Sequence, residues 1–300
     1  MQNKRHYLKF FMTRCVYFNG KLLPSESTGI SPFNRGLLYG DGVFETLRVY
    51  NGGLFRFGQH VQRLQEGLQV LKIQFHNVVF AVEQSVKEIL QREKIIEGAV
   101  RISIFRGDGE GPDPPAGLTP SFLISIKSFI PYRTEDYATG YKARLVSVRR
   151  NSFSPLSRIK SLNYLDNILA RLEAREHKAH EALLMNSLGW VAEGAASNVF
   201  LIKDNLLLTP PVDAGVLPGI TRAAVLEIAA AARLQPREET FSPEQLAAAD
   251  EAFLTNSLME IMPLVMLNEK KIGDGKPGKF TEELRLHYRN LVNQEVMLPL

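Results

Sequence analysis

The hydrophobic periodicity of this 300-residue chain lapses across Pro131-Tyr132-Arg133-Thr134-Glu135-Asp136-Tyr137-Ala138-Thr139-Gly140, while the patterns on either side each have the makings of a separate core. Residues 131–140 therefore predict an interdomain linker, with one domain over residues 1–130 and a second over residues 141–300. At 45% hydrophobic and 23% charged, the chain carries enough apolar material for two such cores.

Before the lapse, short strands mix with two helices. Residues 60–72 place Val61, Leu64, Leu68 and Leu71 at helical spacing, and residues 78–94 do the same with Val82, Val86, Ile89 and Leu90. Residues 100–105 and 122–126 are β-branched and aromatic and predict strands; between them, residues 107–117 are Gly- and Pro-rich and predict a loop. After the lapse come a strand over residues 141–149 and a long helix over residues 163–179, with Ile168, Leu169 and Leu172 on one side. Strand-like runs follow at residues 183–185, 198–202 and 206–208, then an alanine-rich helix at residues 223–234. The sole tryptophan, Trp190, falls in a predicted hairpin turn and is expected to be structural. There is no internal repeat and no low-complexity tract.

Several classes of function are set aside by composition. One cysteine, Cys15, supports neither an internal disulfide nor a multi-cysteine metal site, which points to a reducing compartment and to no metal. A formal charge of +4, with Lys and Arg scattered among acids, favours a small anionic ligand over nucleic acid. No apolar run approaches the roughly 20 residues of a membrane helix. Residues 1–14 are basic and partly apolar and are expected to be a leader, with Met12 an alternative start.

Two segments carry the chemistry. Arg158-Ile159-Lys160-Ser161-Leu162-Asn163-Tyr164 offers an amine that, once desolvated, can condense with an aldehyde. Glu193-Gly194-Ala195-Ala196-Ser197-Asn198 offers a carboxylate able to keep a pyridine nitrogen protonated. Leu217-Pro218-Gly219-Ile220-Thr221-Arg222 leads into the alanine-rich helix, and a Gly turn with a Thr cap at a helix N-terminus suits a phosphate. Taken singly, each has a plain alternative: a solvated Lys or Glu, an ordinary capped helix, and for Arg63 a surface helix arginine.

Together with Tyr39-Gly40-Asp41-Gly42-Val43-Phe44-Glu45-Thr46, His60-Val61-Gln62-Arg63-Leu64, Thr255-Asn256-Ser257 and Gly273-Asp274-Gly275-Lys276-Pro277-Gly278, these segments resemble, in order, the class IV (fold type IV) pyridoxal-phosphate aminotransferases. The resemblance runs from about Val16 to the C-terminal helix. It implies an α+β, two-domain fold: a small α/β domain, and a larger domain with a β-barrel-like core and flanking helices. It also implies pyridoxal 5′-phosphate as cofactor, Lys160 as the catalytic, Schiff-base lysine, Glu193 as partner of the pyridine nitrogen and Tyr164 as donor to the phenolic oxygen. Arg63, Gly219, Ile220, Thr221 and Ser257 would hold the phosphate, Leu217 would pack on the pyridine face, and Asn198 and Asn256 would complete the cofactor site. His60 is left as a packing or cap residue.

On the substrate side, the resemblance assigns Tyr39, Phe44, Thr46, Arg101, Ser257 and Leu258. If Ile102 and Ile104 face the core, alternation turns Arg101 toward the cleft. Ala99 and Thr46 stand where branched-chain enzymes usually carry tyrosine and glycine, and residues 107–117 lack the Arg-x-His pair typical of D-amino acid enzymes. The expected protein is a cytoplasmic homodimer that moves an amino group between a branched-chain or other apolar amino acid and 2-oxoglutarate or a similar keto acid. The rivals are an aminodeoxychorismate lyase and a cofactor-binding protein without turnover.

Overall fold

The computed structural model describes residues 15–128 and 132–296, so the expected leader and Met12 lie outside the described residues. In the N-terminal half, β1 (Cys15–Phe18), β2 (Lys21–Pro24), α1 (Arg35–Tyr39), β3 (Gly42–Tyr50), β4 (Gly53–Leu54), α2 (Phe57–Val70), α3 (Val78–Glu93), β5 (Gly98–Phe105) and β6 (Ser121–Ser128) follow one another. All six strands join one antiparallel sheet, ordered β2-β1-β6-β5-β3-β4. The helical periodicity of α2 and α3 finds its explanation here. Val61, Leu64 and Leu68 of α2, with Val82, Val86 and Ile89 of α3, bury against Leu47, Val100, Ile102, Ile104 and Ile124 of the sheet. That packing turns the alternate residues of β3 and β5 away from the core.

Next come α4 (Thr134–Thr139), β7 (Tyr141–Arg150), α5 (Leu165–Glu176), β8 (Glu181–Asn186), β9 (Val191–Gly194), β10 (Asn198–Lys203), β11 (Leu206–Thr209), α6 (Ile220–Ile228), β12 (Gln235–Glu238), α7 (Pro243–Ala247), β13 (Glu251–Asn256), β14 (Glu260–Leu267), β15 (Lys270–Lys271) and α8 (Lys279–Val296). The nine strands form a second, curled sheet ordered β12-β11-β10-β13-β14-β7-β8-β9, with β15 on β14. The α+β fold type IV architecture expected from the sequence is the one observed. Across the two halves, the buried Arg56 guanidinium at the start of α2 holds Glu227 of α6 and Glu295 of α8.

Within residues 131–140, which the lapse in periodicity marks as a linker, the described part forms α4. The Asp136 carboxylate caps it, accepting from the Arg133 N–H at 3.1 Å and from the Arg133 guanidinium at 3.0 Å, and the Tyr137 hydroxyl anchors it by donating to the Met259 carbonyl at 3.0 Å. A helix under two turns long displays no hydrophobic period. In α5 the apolar side faces outward: Ile168, Leu169 and Leu172 are 47%, 54% and 48% exposed, while Asn167, Ala170 and Ala174 are buried. The alanine-rich segment leaves α-helical geometry after Ile228, and Ala229–Ala232 is 3-10. The N-cap of α6 is Gly219, which places Thr221 inside the first turn and not at the cap.

The Gly273–Gly278 motif is structural. It delivers the chain to α8, whose first turn is capped by Glu251: the carboxylate accepts from the N–H groups of Phe280 (3.0 Å) and Thr281 (2.8 Å). An acid at a helix N-terminus satisfies free donors and complements the dipole.

Candidate active site

Between the two sheets lies a cavity of 580 Å³, within the range of small-molecule sites. One wall is the face of β3 and β5 turned from the core, carrying Phe44, Thr46 and Arg101. The Lys160 loop lies along the edge of that wall, where the Phe44 N–H donates to the Lys160 carbonyl (2.9 Å) and the Leu162 N–H to the Gly42 carbonyl (3.0 Å). Glycine is required at position 42, because a Cβ there would stand 2.2 Å from the Ile104 carbonyl oxygen. The opposite walls bring Glu193, Asn198, Leu217, Gly219, Ile220, Thr221, Asn256, Ser257 and Leu258 to the same space, with Tyr164 and Arg63. Of the predicted site residues only Tyr39 is not among those lining the cavity. Its hydroxyl accepts from the Gly111 N–H at 2.8 Å, and its ring lies under the Arg35 guanidinium.

Lys160 projects to within 4.5 Å of the Phe44 ring centroid. Burial pushes its pKa down to about 8, and the Arg63 and Arg101 guanidiniums push the same way against Glu45 and Glu193. At pH 7 roughly a tenth of such amines are neutral, against a few in ten thousand for an ordinary lysine. Capture of an aldehyde should therefore speed up about tenfold per pH unit below pH 8 and level off above it. Stopped-flow mixing of apoprotein with pyridoxal phosphate from pH 6 to 10 checks this; a rise continuing unbroken past pH 9.5 would exclude a depressed lysine.

The Glu193 carboxylate is held on both oxygens. Arg150 donates from Nε to Oε1 at 2.7 Å, and the Leu217 N–H donates to Oε2 at 3.0 Å. Asn198 ties the same corner by donating to the Leu217 carbonyl (2.9 Å). Tyr164 meets Phe44 edge-to-face with centroids 5.6 Å apart and donates to the Ala195 carbonyl at 3.2 Å. Burial, with Glu193 adding to it, raises the Tyr164 pKa, so the hydroxyl remains a donor.

Arg63 does not simply reach into the cavity. Its Nε and one Nη grip both oxygens of Glu45 at 2.7 and 2.8 Å, and the other Nη donates to the Pro218 carbonyl at 2.8 Å. Three of the guanidinium's five N–H groups are thus committed, which fixes the fork and leaves two for a ligand. Glu45 also meets His60 Nδ1 at 2.8 Å. Burial would raise the Glu45 pKa, but Arg63 and His60 outweigh it and hold the carboxyl well below the usual range. Burial in turn lowers the His60 pKa, so His60 donates as a neutral ring. His60, expected to be a packing or cap residue, is a buried partner of the Arg63–Glu45 pair, and the cap of α2 is Arg56.

Glu45, His60, Arg150 and Thr255 were not predicted to belong to the site. For Glu45 a signal existed: on a strand whose Val43, Leu47 and Val49 face the core, an acid in the same alternation demands a buried cation, and His60-x-x-Arg63 supplies a matched pair. Arg150 gave none, because β7 and β9 meet only through β8.

The donor set fits pyridoxal phosphate. A phosphate dianion suits the free N–H groups of Arg63, the α6 N-terminus, the Ser257 hydroxyl and the Thr255 hydroxyl, which is buried without a partner. Only glycine serves at position 219, where a Cβ would overlap Asn198 Oδ1. Glu193 suits a ring nitrogen at the other end, with Lys160 and Tyr164 between.

Residues 42–266 match the family described as amino-transferase class IV. A putative branched-chain-amino-acid aminotransferase of Methanocaldococcus jannaschii is 34% identical over 92% of this chain and 96% of its own length. An aminodeoxychorismate lyase of Bacillus subtilis is 31% identical over 94% and 96%. Among solved structures, the T.th. branched-chain amino acid aminotransferase with pyridoxamine 5′-phosphate superposes with a TM-score of 0.89 at 28% identity, covering 94% of this chain and 95% of that one.

Proposed function

We propose that this chain, which belongs to the amino-transferase class IV family, moves an amino group between a branched-chain or other apolar amino acid and 2-oxoglutarate or a similar keto acid. It is a pyridoxal-phosphate enzyme. The observation that carries the reading is a lysine with a pKa of about 8 set between a carboxylate paired to arginine and a cluster of phosphate donors.

When bound, the cofactor supplies an aldehyde that captures the substrate amine and a protonated ring that withdraws the electron pair released at the α-carbon. Lys160 would hold the aldehyde until the substrate amine takes its place, and its neutral Nζ would then be the group that carries the proton between the substrate α-carbon and cofactor C4′. Glu193 would hold the proton on the ring nitrogen, and Tyr164 would turn its one O–H from the Ala195 carbonyl to the phenolic oxygen. Leu217, on the cavity wall, would pack on the ring. Asn198 and Asn256 hold the walls, Asn256 by donating to the Ala196 carbonyl at 2.9 Å. Ser257 and Leu258 meet the substrate carboxylate, and Phe44 and Thr46 bound its side chain.

Arg101 is suited to the second carboxylate of the acceptor. It stands opposite Thr46 in the sheet register, its guanidinium lies 3.9 Å over the Phe44 ring centroid, and it has no acidic partner among the described residues. Arg101→Ala should raise KM for glutamate or 2-oxoglutarate by about 10–150-fold, the span of one charge-assisted contact, and leave KM for leucine nearly unchanged. Equal shifts for both substrates would make Arg101 a structural residue.

We further propose a cytoplasmic homodimer, since Leu165 joins Ile168, Leu169 and Leu172 on an exposed apolar stripe of α5 that suits a second copy; sedimentation velocity tests the dimer. No described helix is long and apolar enough to cross a membrane. The activity itself is tested with a panel of L- and D-amino acids plus 2-oxoglutarate: keto-acid release with loss of cofactor absorbance supports it. Pyruvate and aminobenzoate formed from aminodeoxychorismate, with no transfer, would make the protein a lyase.

A further inference from the structure

The turn that joins β13 to β14 carries Ser257 and Leu258 on the cavity wall, and its shape is imposed from three directions. From within, Asn256 Oδ1 accepts from the N–H groups of Leu258 (3.0 Å) and Met259 (2.7 Å). From α4, the Tyr137 hydroxyl donates to the Met259 carbonyl. From the other sheet, Arg48 on β3 donates through Nη1 to the Leu258 carbonyl at 3.2 Å and to Glu260 Oε1 at 2.8 Å. Tyr50, also on β3, donates to the same carboxylate oxygen at 3.1 Å.

Two features separate this contact from routine packing. Arg48 lies on the same face of β3 as Phe44 and Thr46, so the strand that builds one wall of the cavity also grips the opposite wall. Glu260 adopts φ +59°, a left-handed conformation that a non-glycine residue keeps only where its surroundings over-determine it. Those surroundings are the Arg48 guanidinium and the Tyr50 hydroxyl, with Arg289 Nε at 3.6 Å from the second carboxylate oxygen. Arg48 and Glu260 are both more than nine-tenths buried, so loss of either leaves the other a poorly compensated buried charge.

We infer that Arg48 is a positioning residue for the substrate carboxylate: its bond to Leu258 and its ion pair with Glu260 fix the distance between the two sheets and aim Ser257 and Leu258 into the cavity. The inference rests on the aminotransferase reading of the turn. Arg48 does not line the cavity, and although it also meets Glu97 at 3.8 Å and the Tyr50 ring, its bonds to Leu258 and Glu260 are what link it to the cavity wall. Substrate carboxylate binding should weaken more than cofactor binding, because Ser257 is the one phosphate donor on the turn while Arg63 and the N-terminus of α6 stay in place.

The test titrates 4-methylpentanoate, a branched carboxylate without an amino group, into wild-type, Arg48→Met and Arg48→Lys holoenzymes, following the cofactor's visible absorbance. In Arg48→Met, Kd for the carboxylate should rise at least about tenfold, equivalent to about 1.4 kcal/mol, with the cofactor site filled at saturating pyridoxal phosphate. KM for the amino acid should rise in step, with kcat changed far less, and Arg48→Lys should recover part of the loss, since a point charge still pairs with Glu260 but lacks the fork. If Arg48→Met does not fold, Glu260→Gln takes its place, keeping the shape of the side chain and removing its charge. Wild-type carboxylate affinity in whichever variant folds overturns the inference. A wild-type holoenzyme that transaminates nothing in the amino-acid panel overturns the aminotransferase reading instead, and the two failures are thereby told apart.

Discussion

Lys160→Ala is expected to abolish amino-group transfer, lowering kcat by about 10⁴-fold or more, the upper end of what one positioned proton-transfer group contributes. The residue has two tasks and no substitute for either. It must be neutral to engage the cofactor aldehyde and neutral again to take the α-proton, and burial beside Arg63 brings its pKa to about 8, where both protonation states are populated near neutrality. Among the described lysines, Lys127 is the other one whose pKa is lowered, by burial and by Arg101; it lies on β6 and does not line the cavity. Alanine also removes a cation that would otherwise face Arg63 and Arg101, so the variant should fold and retain phosphate contacts. Borohydride reduction followed by peptide mapping decides the assignment: a cofactor label on any lysine other than Lys160 in the wild-type protein removes it from the mechanism.

What could be read from the sequence followed the range of the interactions involved. Local periodicity located α2, α3 and the β5 and β6 strands, because their apolar residues face one continuous core. The alternation of β5 placed Arg101 toward the cavity for the same reason. Helical periodicity located α5 and its stripe of Ile168, Leu169 and Leu172 but not the stripe's direction, which is away from the core, the inner face being the small, quiet set Asn167, Ala170 and Ala174. Periodicity records which residues are apolar and not what covers them. The short α4 left no trace, since its stability comes from the Asp136 carboxylate at its first turn and from Tyr137 reaching Met259, a contact 122 positions away. The motif residues were legible through their resemblance to a family. Their supports were not: Arg150 behind Glu193 and Arg48 behind the 256–260 turn depend on strand pairings and sheet packing that no stretch of sequence encodes alone.

Glu193→Gln should lower kcat by about 10²–10³-fold, the cost usually attached to losing one preorganised electrostatic contact in a transition state, while cofactor affinity falls much less. Glutamine keeps an acceptor for the Leu217 N–H, so the geometry of that corner survives. The charge does not. Glu193 is 4% exposed and Arg150 half-buried, and in the wild type the two neutralise each other around one carboxylate oxygen. Removing the anion leaves the Arg150 guanidinium as an uncompensated cation beside the place where the ring nitrogen must hold its proton, and like charge disfavours protonation there. Two losses therefore combine in the single variant: the attraction of Glu193 for the proton, and the repulsion of an unpaired Arg150. They can be separated, because Arg150→Met added to Glu193→Gln removes only the second. The double variant should recover part of the lost kcat, and Arg150→Met alone should cost little, since Glu193 then faces the ring nitrogen without a competitor. If the double variant is no faster than Glu193→Gln, Arg150 is a structural brace for the carboxylate and the electrostatic effect belongs to Glu193 alone. Wild-type turnover in Glu193→Gln would place the ring nitrogen elsewhere in the cavity.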